Sequence, residues 1–210
     1  MDNAPADPRS ALYRFLGWIF LMEVDAELLA KLKKLTFPSF EPESAEDAEL
    51  LEGFGLMRSY LDAASESDLD DLAADYAKTF LAAGDASGRA AFPLETFYTG
   101  GGGIVEKELE AAYLSRGLTP DPDKYRVPFD HLGLMLEYMA VLCEEFAQTC
   151  DIMRKDVFNE QRRFVAEHLA GWTEDFARDV LRCASTDFYL GAAKILSAFI
   201  KKETAFLGAG

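Results

Sequence analysis

The chain has 210 residues, with 21 Lys and Arg against 37 Asp and Glu, so its formal net charge is −16 and its isoelectric point is near 4.5. A chain this acidic repels phosphate backbones and anionic lipid surfaces, which excludes nucleic acid as an expected partner. The longest uncharged apolar run, 15–22, falls far short of the roughly 20 residues that span a bilayer, so no membrane insertion is expected. No export signal is evident at the start, which makes the cytoplasm the expected compartment.

The composition favours helices over strands. Ala and Leu number 57 and Val and Ile only 12, and β-branched residues are the ones that strands prefer. We predict an all-α fold, a single helical domain over 1–210 with about nine or ten helices. The three cysteines argue against a disulfide framework, because Cys143 and Cys150 would lie about 10.5 Å apart on one helix. They are expected to be reduced and mostly buried.

Four helices are predicted before the first glycine-rich stretch. They cover approximately 10–22, 25–35, 44–64 and 67–84. Ser10 is expected to cap the first helix. The fourth carries apolar side chains at helical spacing, namely Leu69, Leu72, Tyr76 and Phe80.

Short elements follow, and then a proline-rich boundary. Pro93 begins a helical turn, the four glycines at 100–103 form a hinge or close-approach loop, and 104–116 is a helix. Thr119–Pro128 contains three prolines, so we predict a hinge at 117–129 between N- and C-terminal parts. Such a hinge permits domain swapping, and the expected state is a monomer or a domain-swapped dimer.

Four helices with strong periodicity follow the boundary. They are predicted at 130–149, at 151–170, from a cap at Thr173 and from a cap at Thr186, with fraying after Lys202. The first of them carries apolar side chains on most of its faces, which predicts a central, buried helix.

The sequence lacks the usual catalytic motifs. There is no Gly-x-x-x-x-Gly-Lys-Ser/Thr loop, no Gly-x-Ser-x-Gly elbow and no His-Glu-x-x-His pair. The two histidines and the scattered cysteines lack the clustered spacing of metal ligands. Glu144 and Glu145 point to different sectors of a helix and are interpreted as a solvated face. We therefore expect no enzymatic activity, no cofactor and no metal.

Three stretches stand out from this background: 76–84, 93–98, and 128–132 continuing into 137–139. Each also has a purely structural interpretation. These are core aromatics at Tyr76 and Phe80, a helical start at Pro93 and Glu95, and an N-cap at Asp130 followed by a first-turn His131.

In this order, the stretches resemble the TorD/DmsD/NarJ family of cytoplasmic, all-helical maturation chaperones for molybdenum oxidoreductases, over roughly residues 10 to 200. Four motifs carry the resemblance: an aromatic-x-x-Leu-Phe motif at Tyr76–Phe80, Pro-x-Glu-Ser-x-Tyr at Pro93–Tyr98, the Asp-His pair at Asp130–His131, and Glu-aromatic-Met at Glu137–Met139. The segment His168–Trp172 and the pair Phe188–Tyr189 are similar to the family's C-terminal pattern. Thr79 stands at a leucine position, Thr96 at the serine, and Phe129 where a proline usually precedes the Asp-His pair.

The resemblance implies binding rather than catalysis. Such chaperones capture the twin-arginine signal peptide of an apo molybdopterin oxidoreductase and hold it until the cofactor is loaded, before export. Some members instead serve reductase subunits that stay in the cytoplasm, and the sequence leaves that choice open. The expected partners are thus the leader peptide and the apo form of a molybdopterin-containing reductase.

The proposed ligand has two arginines followed by an apolar helical stretch, and this chemistry selects the candidate site. Aromatic and aliphatic side chains suit the apolar stretch, and carboxylates suit the arginines. The expected groove lining is Tyr76, Phe80, Leu81 and Tyr98, the expected arginine partners are Asp130 and Glu95, and the motif neighbours His131, Glu137 and Tyr138 complete the site. For His131 two interpretations remain: it orients Asp130 or switches charge near neutral pH, or it is a satisfied helix-start histidine.

Two other functions remain open. A plain helical adaptor that binds another amphipathic helix would tolerate Arg-to-Gln changes in its ligand. An enzyme or nucleotide-binding protein would use the 100–103 loop, and Gly-to-Ala changes there would abolish binding.

Overall fold

A computed structural model describes residues 7–81, 90–119 and 126–209 of the chain. In these residues the fold is all-α, as predicted, with no strand and one isolated bridge. The helices are α1 (Pro8–Leu21), α2 (Ala26–Leu32), α3 (Ala45–Ala63), α4 (Leu69–Tyr76), α5 (Glu95–Thr99), α6 (Gly102–Ser115), α7 (Leu132–Gln148), α8 (Asp151–Phe164), α9 (Thr173–Cys183) and α10 (Asp187–Leu207). A 3₁₀ turn at Glu66–Asp68 precedes α4, and π-helical turns continue α4 and α8, at Ala77–Leu81 and Val165–Leu169.

The described residues group into two compact units. Unit 1 comprises those of Met1–Leu21, Pro93–Trp172 and Thr204–Gly210, and unit 2 comprises those of Met22–Phe92 and Thr173–Glu203. No helix in the described ranges is both long enough and apolar enough to cross a membrane. Residues 120–125 of the predicted hinge lie outside the described residues, so the hinge stays a prediction.

Unit 1 is built on α7, which α1 accompanies along its length. Ten of the 17 residues of α7 are buried, which confirms the prediction of a central helix. Two glycines let the helices approach: a Cβ on Gly17 would lie 3.2 Å from the Gly133 carbonyl oxygen, and a Cβ on Gly133 would lie 3.0 Å from that of Gly17. The backbones are therefore in direct contact where α1 meets α7.

Unit 2 has an equivalent close approach between α3 and α10. A Cβ on Gly53 would lie 2.8 Å from the carbonyl oxygen of Gly191, and a Cβ on Gly191 would lie 2.6 Å from that of Gly53. The loop before α10 is held by Asp75 of α4, whose carboxylate accepts from the N–H groups of Ser185 at 2.9 Å and Thr186 at 2.8 Å, and from the Thr186 hydroxyl at 2.7 Å.

Several predicted helix ends are confirmed, and the start of α1 is corrected. Asp25 and Ser44 cap α2 and α3 as their side-chain types predict. The first helix begins at Pro8 rather than after Ser10: the Asp7 carboxylate accepts from the Arg9 N–H at 3.1 Å, and proline suits the first helical position. Ser10 is instead buried inside the helix.

Corrections also apply to later helices. The cap of α7 is His131, not Asp130, because the His131 side chain accepts from the Gly133 N–H. The glycine segment is shorter than predicted, since α6 already begins at Gly102. The chain does not fray after Lys202: α10 continues to Leu207, which is buried.

Two predictions about side chains are partly wrong. Glu144 is not simply solvated, because its carboxylate accepts from Ser10 at 3.0 Å and from Arg14 at 2.7 Å. Glu145 pairs with Arg116 at 2.8 Å. All three cysteines are free, as predicted, but only two are buried, since Cys150 is exposed.

Candidate functional site

The two central motif segments lie side by side in unit 1. Leu94 and His131 form an isolated antiparallel bridge, and the Glu95 N–H donates to the Asp130 carbonyl at 3.1 Å. The start of α5 is thereby fixed against the start of α7. Residues that the sequence separates by more than thirty positions thus share one small structural element.

Asp130 joins these two helix starts with its side chain. It is fully buried, and its Oδ2 accepts from the Thr96 backbone N–H at 3.0 Å and from the Thr96 hydroxyl at 2.5 Å. The Asp130 carboxylate therefore satisfies the Thr96 N–H in the first turn of α5, from outside that helix. Its Oδ1 is also buried and has no hydrogen-bond partner within the described residues.

His131 occupies the N-cap position of α7. Its Nδ1 accepts from the Gly133 N–H at 3.1 Å, which requires an unprotonated Nδ1. Burial lowers the pKa of His131 from 6.5 to about 4, against the opposing effect of the neighbouring Asp130. The ring is therefore neutral near pH 7. This agrees with a satisfied helix-start histidine and not with a charge switch near neutral pH.

Glu95 connects α5 to the π-helical turn after α8. It is 3% exposed, and its Oε2 lies 3.1 Å from Nδ1 of His168. The His168 carbonyl accepts from the Trp172 indole N–H at 2.6 Å, and the Trp172 ring stacks on Tyr98 with centroids 5.4 Å apart. These contacts give α5, which has only five residues, a fixed position in unit 1.

Beside Glu95 lies a cleft of about 850 Å³, which we call the α6–α8 cleft. The α6 side has mostly small side chains, at Gly101, Val105, Glu108, Ala111, Ala112 and Ser115. The α8 side has longer ones, at Glu160, Arg163, Phe164, Glu167 and His168. Glu95 and Thr99 of α5 and Tyr138 of α7 complete the lining.

The cleft carries four carboxylates against one arginine, and part of this charge is already paired. Glu160 accepts from the Tyr138 hydroxyl at 2.5 Å and forms an ion pair with Arg116. Burial and the Glu160 hydrogen bond raise the pKa of Tyr138, which keeps its hydroxyl protonated as a donor. Glu137, which precedes Tyr138 and was also predicted in the site, forms an ion pair with Arg14, with Oε2 lying 3.9 Å from Nη1.

Of the predicted residues in unit 2, two lie in its aromatic core. Tyr76 is 5% exposed and Phe80 is 1% exposed; their ring centroids are 5.1 Å apart, and both contact Tyr189. Burial raises the pKa of Tyr76 to about 12, so it remains neutral. Leu81 differs, because 63% of it is exposed. Thr79 is fully buried, and its hydroxyl donates to Asp75 at 3.4 Å.

The structure thus brings four predicted site residues together at the starts of α5 and α7, namely Glu95, Tyr98, Asp130 and His131. Glu137 and Tyr138 lie on α7 of the same unit, and Tyr76, Phe80 and Leu81 belong to unit 2. Three neighbours of this arrangement were missed as site residues: Phe97, which is 53% exposed, and the cleft residues Glu108 and Glu160. No local spacing signals them, because their neighbours are distant in sequence.

Comparison with known proteins identifies relatives of this chain. The family model for the nitrate reductase delta subunit matches residues 43–178. Chaperone protein TorD of Shewanella loihica is 26% identical over 219 residues, covering 100% of this chain and 98% of its own. Chaperone protein TorD of Vibrio vulnificus is 26% identical over 212 residues, covering 96% and 95%. A crystal structure of a proposed redox enzyme maturation protein from Archaeoglobus fulgidus has 18% identity and a TM-score of 0.49, covering 99% of this chain and 98% of its own.

The family match covers well over half of the chain, and the TorD relatives align with nearly all of it. The resemblance indicated by the motifs is therefore confirmed: the chain belongs to the nitrate reductase delta subunit family, the TorD/DmsD/NarJ group of molybdoenzyme maturation chaperones.

Proposed function

We propose that this protein binds the twin-arginine signal peptide of an apo molybdopterin oxidoreductase in the cytoplasm and assists cofactor loading before export. The observation that carries the proposal is the pairing of the family's two central motifs at Glu95 and Asp130, in a chain of this family. A pre-formed acidic element next to accessible aromatic surface suits a ligand that combines arginines with an apolar helix.

The apolar part of the ligand needs accessible apolar side chains. On α5, Phe97 is 53% exposed and Tyr98 is half-buried. Covering a few such side chains supplies about 1.5 to 3 kcal/mol each, which corresponds to micromolar binding after association costs. The net charge of −16 adds long-range attraction for a cationic leader.

Titration calorimetry with leader peptides from molybdoenzymes of the same genome tests the proposal. We expect micromolar binding to at least one leader, and weaker binding when its two arginines are replaced by glutamine. A leader with the same composition in scrambled order is the matched control. Absence of heat with every leader, from folded protein, would overturn the proposal, and equal affinity for the Arg-to-Gln leader would favour a helical adaptor.

A further inference from the structure

We infer that the α6–α8 cleft of unit 1 receives an arginine side chain of the bound peptide, with Glu95 as its direct partner and Asp130 as a positioning residue. This inference rests on the proposed function and names where the arginine binds. It assigns different roles to Glu95 and Asp130, which both have the side-chain chemistry of an arginine partner.

Glu95 has a free acceptor at the right place. It is only 3% exposed and lines the cleft, yet within the described residues the only hydrogen-bond partner of its carboxylate is His168, on Oε2. The second oxygen, Oε1, has no hydrogen-bond partner in the described part of the chain, and it is available to a donor that enters the cleft. Because His168 and burial hold the carboxylate in place, a ligand loses little entropy in ordering it.

Asp130 has the opposite properties. It has no exposed surface, it does not line the cleft, and its Oδ2 is occupied by Thr96. A ligand cannot reach this carboxylate without displacing the start of α5. Asp130 instead fixes that helix start, from which Glu95 extends toward the cleft.

The rest of the cleft suits a guanidinium on an apolar stem. Glu108 has no hydrogen-bond partner in the described part of the chain, and the only ion pair of Glu167 is with Arg163 at 3.9 Å. Val105 and Phe164 offer apolar surface along which the methylene groups of arginine can lie.

The lining and volume of the cleft suit an arginine side chain better than a metal ion. In the described ranges, no group of three or more His, Cys, Asp and Glu side chains could hold a metal. The volume of about 850 Å³ lies within the roughly 300–1,000 Å³ typical of ligand pockets and admits one arginine with part of its neighbouring chain. Planar guanidinium also matches carboxylate geometry better than ammonium does.

The test uses the full chain, the wild-type leader peptide and its Arg-to-Gln form in titration calorimetry. Glu95→Gln should weaken binding of the wild-type leader about 10- to 100-fold, the usual effect of losing a charge-assisted hydrogen bond. Glu108→Gln should weaken it by a smaller factor, since Glu108 is exposed. Glu110→Gln is the matched control, because Glu110 is on the same helix and does not line the cleft.

A double-mutant cycle identifies the contact. In Glu95→Gln the Arg-to-Gln change in the leader should cost much less affinity than it costs in the wild type, because the contact with Glu95 is already lost. Asp130→Asn keeps an acceptor for Thr96 and removes the charge, so its loss of affinity should be smaller than that of Glu95→Gln. The inference would be overturned if Glu95→Gln and Glu110→Gln bound the leader equally well. It would also be overturned if, at equal melting temperature, Asp130→Asn lost more affinity than Glu95→Gln. Both outcomes leave leader binding by the wild type in place. Failure of the wild type to bind any leader would overturn the proposed function, and the inference with it.

Discussion

The close approach of α3 and α10 in unit 2 allows a sharp test of the fold. A Cβ on Gly53 would lie 2.8 Å from the Gly191 carbonyl oxygen and 2.8 Å from Cγ1 of Ile195. Gly55, two residues further along α3, has nothing within 4 Å of its virtual Cβ. The same substitution, glycine to alanine, should therefore have opposite effects at these two positions of one helix.

The magnitudes follow from helix propensity and packing. Alanine in a helix interior is favoured over glycine by about 1 kcal/mol, so Gly55→Ala should stabilise the protein by about 0.5–1 kcal/mol. At Gly53 the same gain is opposed by overpacking, which costs about 1–3 kcal/mol in well-packed interiors. Since one of the contacted atoms is a backbone oxygen that no rotamer change can move, we expect a net loss of about 1–2 kcal/mol.

Urea denaturation followed by far-ultraviolet circular dichroism measures both variants against the wild type. The two variants should differ by about 2–3 kcal/mol in unfolding free energy, or by roughly 5–10 °C in melting temperature for a chain of this size. If Gly53→Ala proved as stable as Gly55→Ala, α3 and α10 would not touch through their backbones, and this account of unit 2 would be wrong.

Three other predictions address buried side chains. Burial lowers the pKa of His131 from 6.5 to about 4, so between these pH values the unfolded chain binds the proton more readily than the folded one. The contribution to stability is therefore full above pH 6.5 and is lost as pH falls toward 4. In urea titrations the wild type should lose about 3 kcal/mol more than His131→Asn between these limits, and parallel pH curves would contradict this. Asp75→Ala should cost about 2–4 kcal/mol, since buried donors in the loop before α10 lose their acceptor, and a melting temperature equal to the wild type would refute that role. Phe80→Ala should cost about 3–5 kcal/mol and Leu81→Ala less than about 0.5 kcal/mol, by the same melting assay, and equal losses would mean that Phe80 is not in the core.

The helices were predictable because their signals are local. Apolar periodicity located most of them, and side chains such as Ser44 capped the expected ends. The start of α1 was wrong by two residues because Pro8 and Asp7 form an equally good signal that competes with Ser10. Ser10 instead makes a tertiary contact, because its hydroxyl donates to Glu144 of α7. No local sequence pattern predicts this contact.

The motifs indicated some residues of the candidate site but not the contacts that these residues make. Asp130 and His131 are adjacent, and by side-chain type Asp130 is the expected cap of α7. The choice is decided by Thr96, which is 34 positions away and engages the Asp130 carboxylate, leaving the cap to His131. The partner of Glu95 was unpredictable for the same reason, because His168 is 73 positions away.

The two units hold their helices in place with the same two structural features. Each has a backbone contact between paired glycines, Gly17 with Gly133 and Gly53 with Gly191, and each has a buried aspartate that accepts from a distant helix start. In unit 2 this aspartate has only a structural task. In unit 1 it fixes a helix of five residues that is too short to be stable alone, and that helix presents Glu95 to the cleft. Through its hydrogen bonds to Thr96, Asp130 thus supports the carboxylate of Glu95 that we propose binds the ligand.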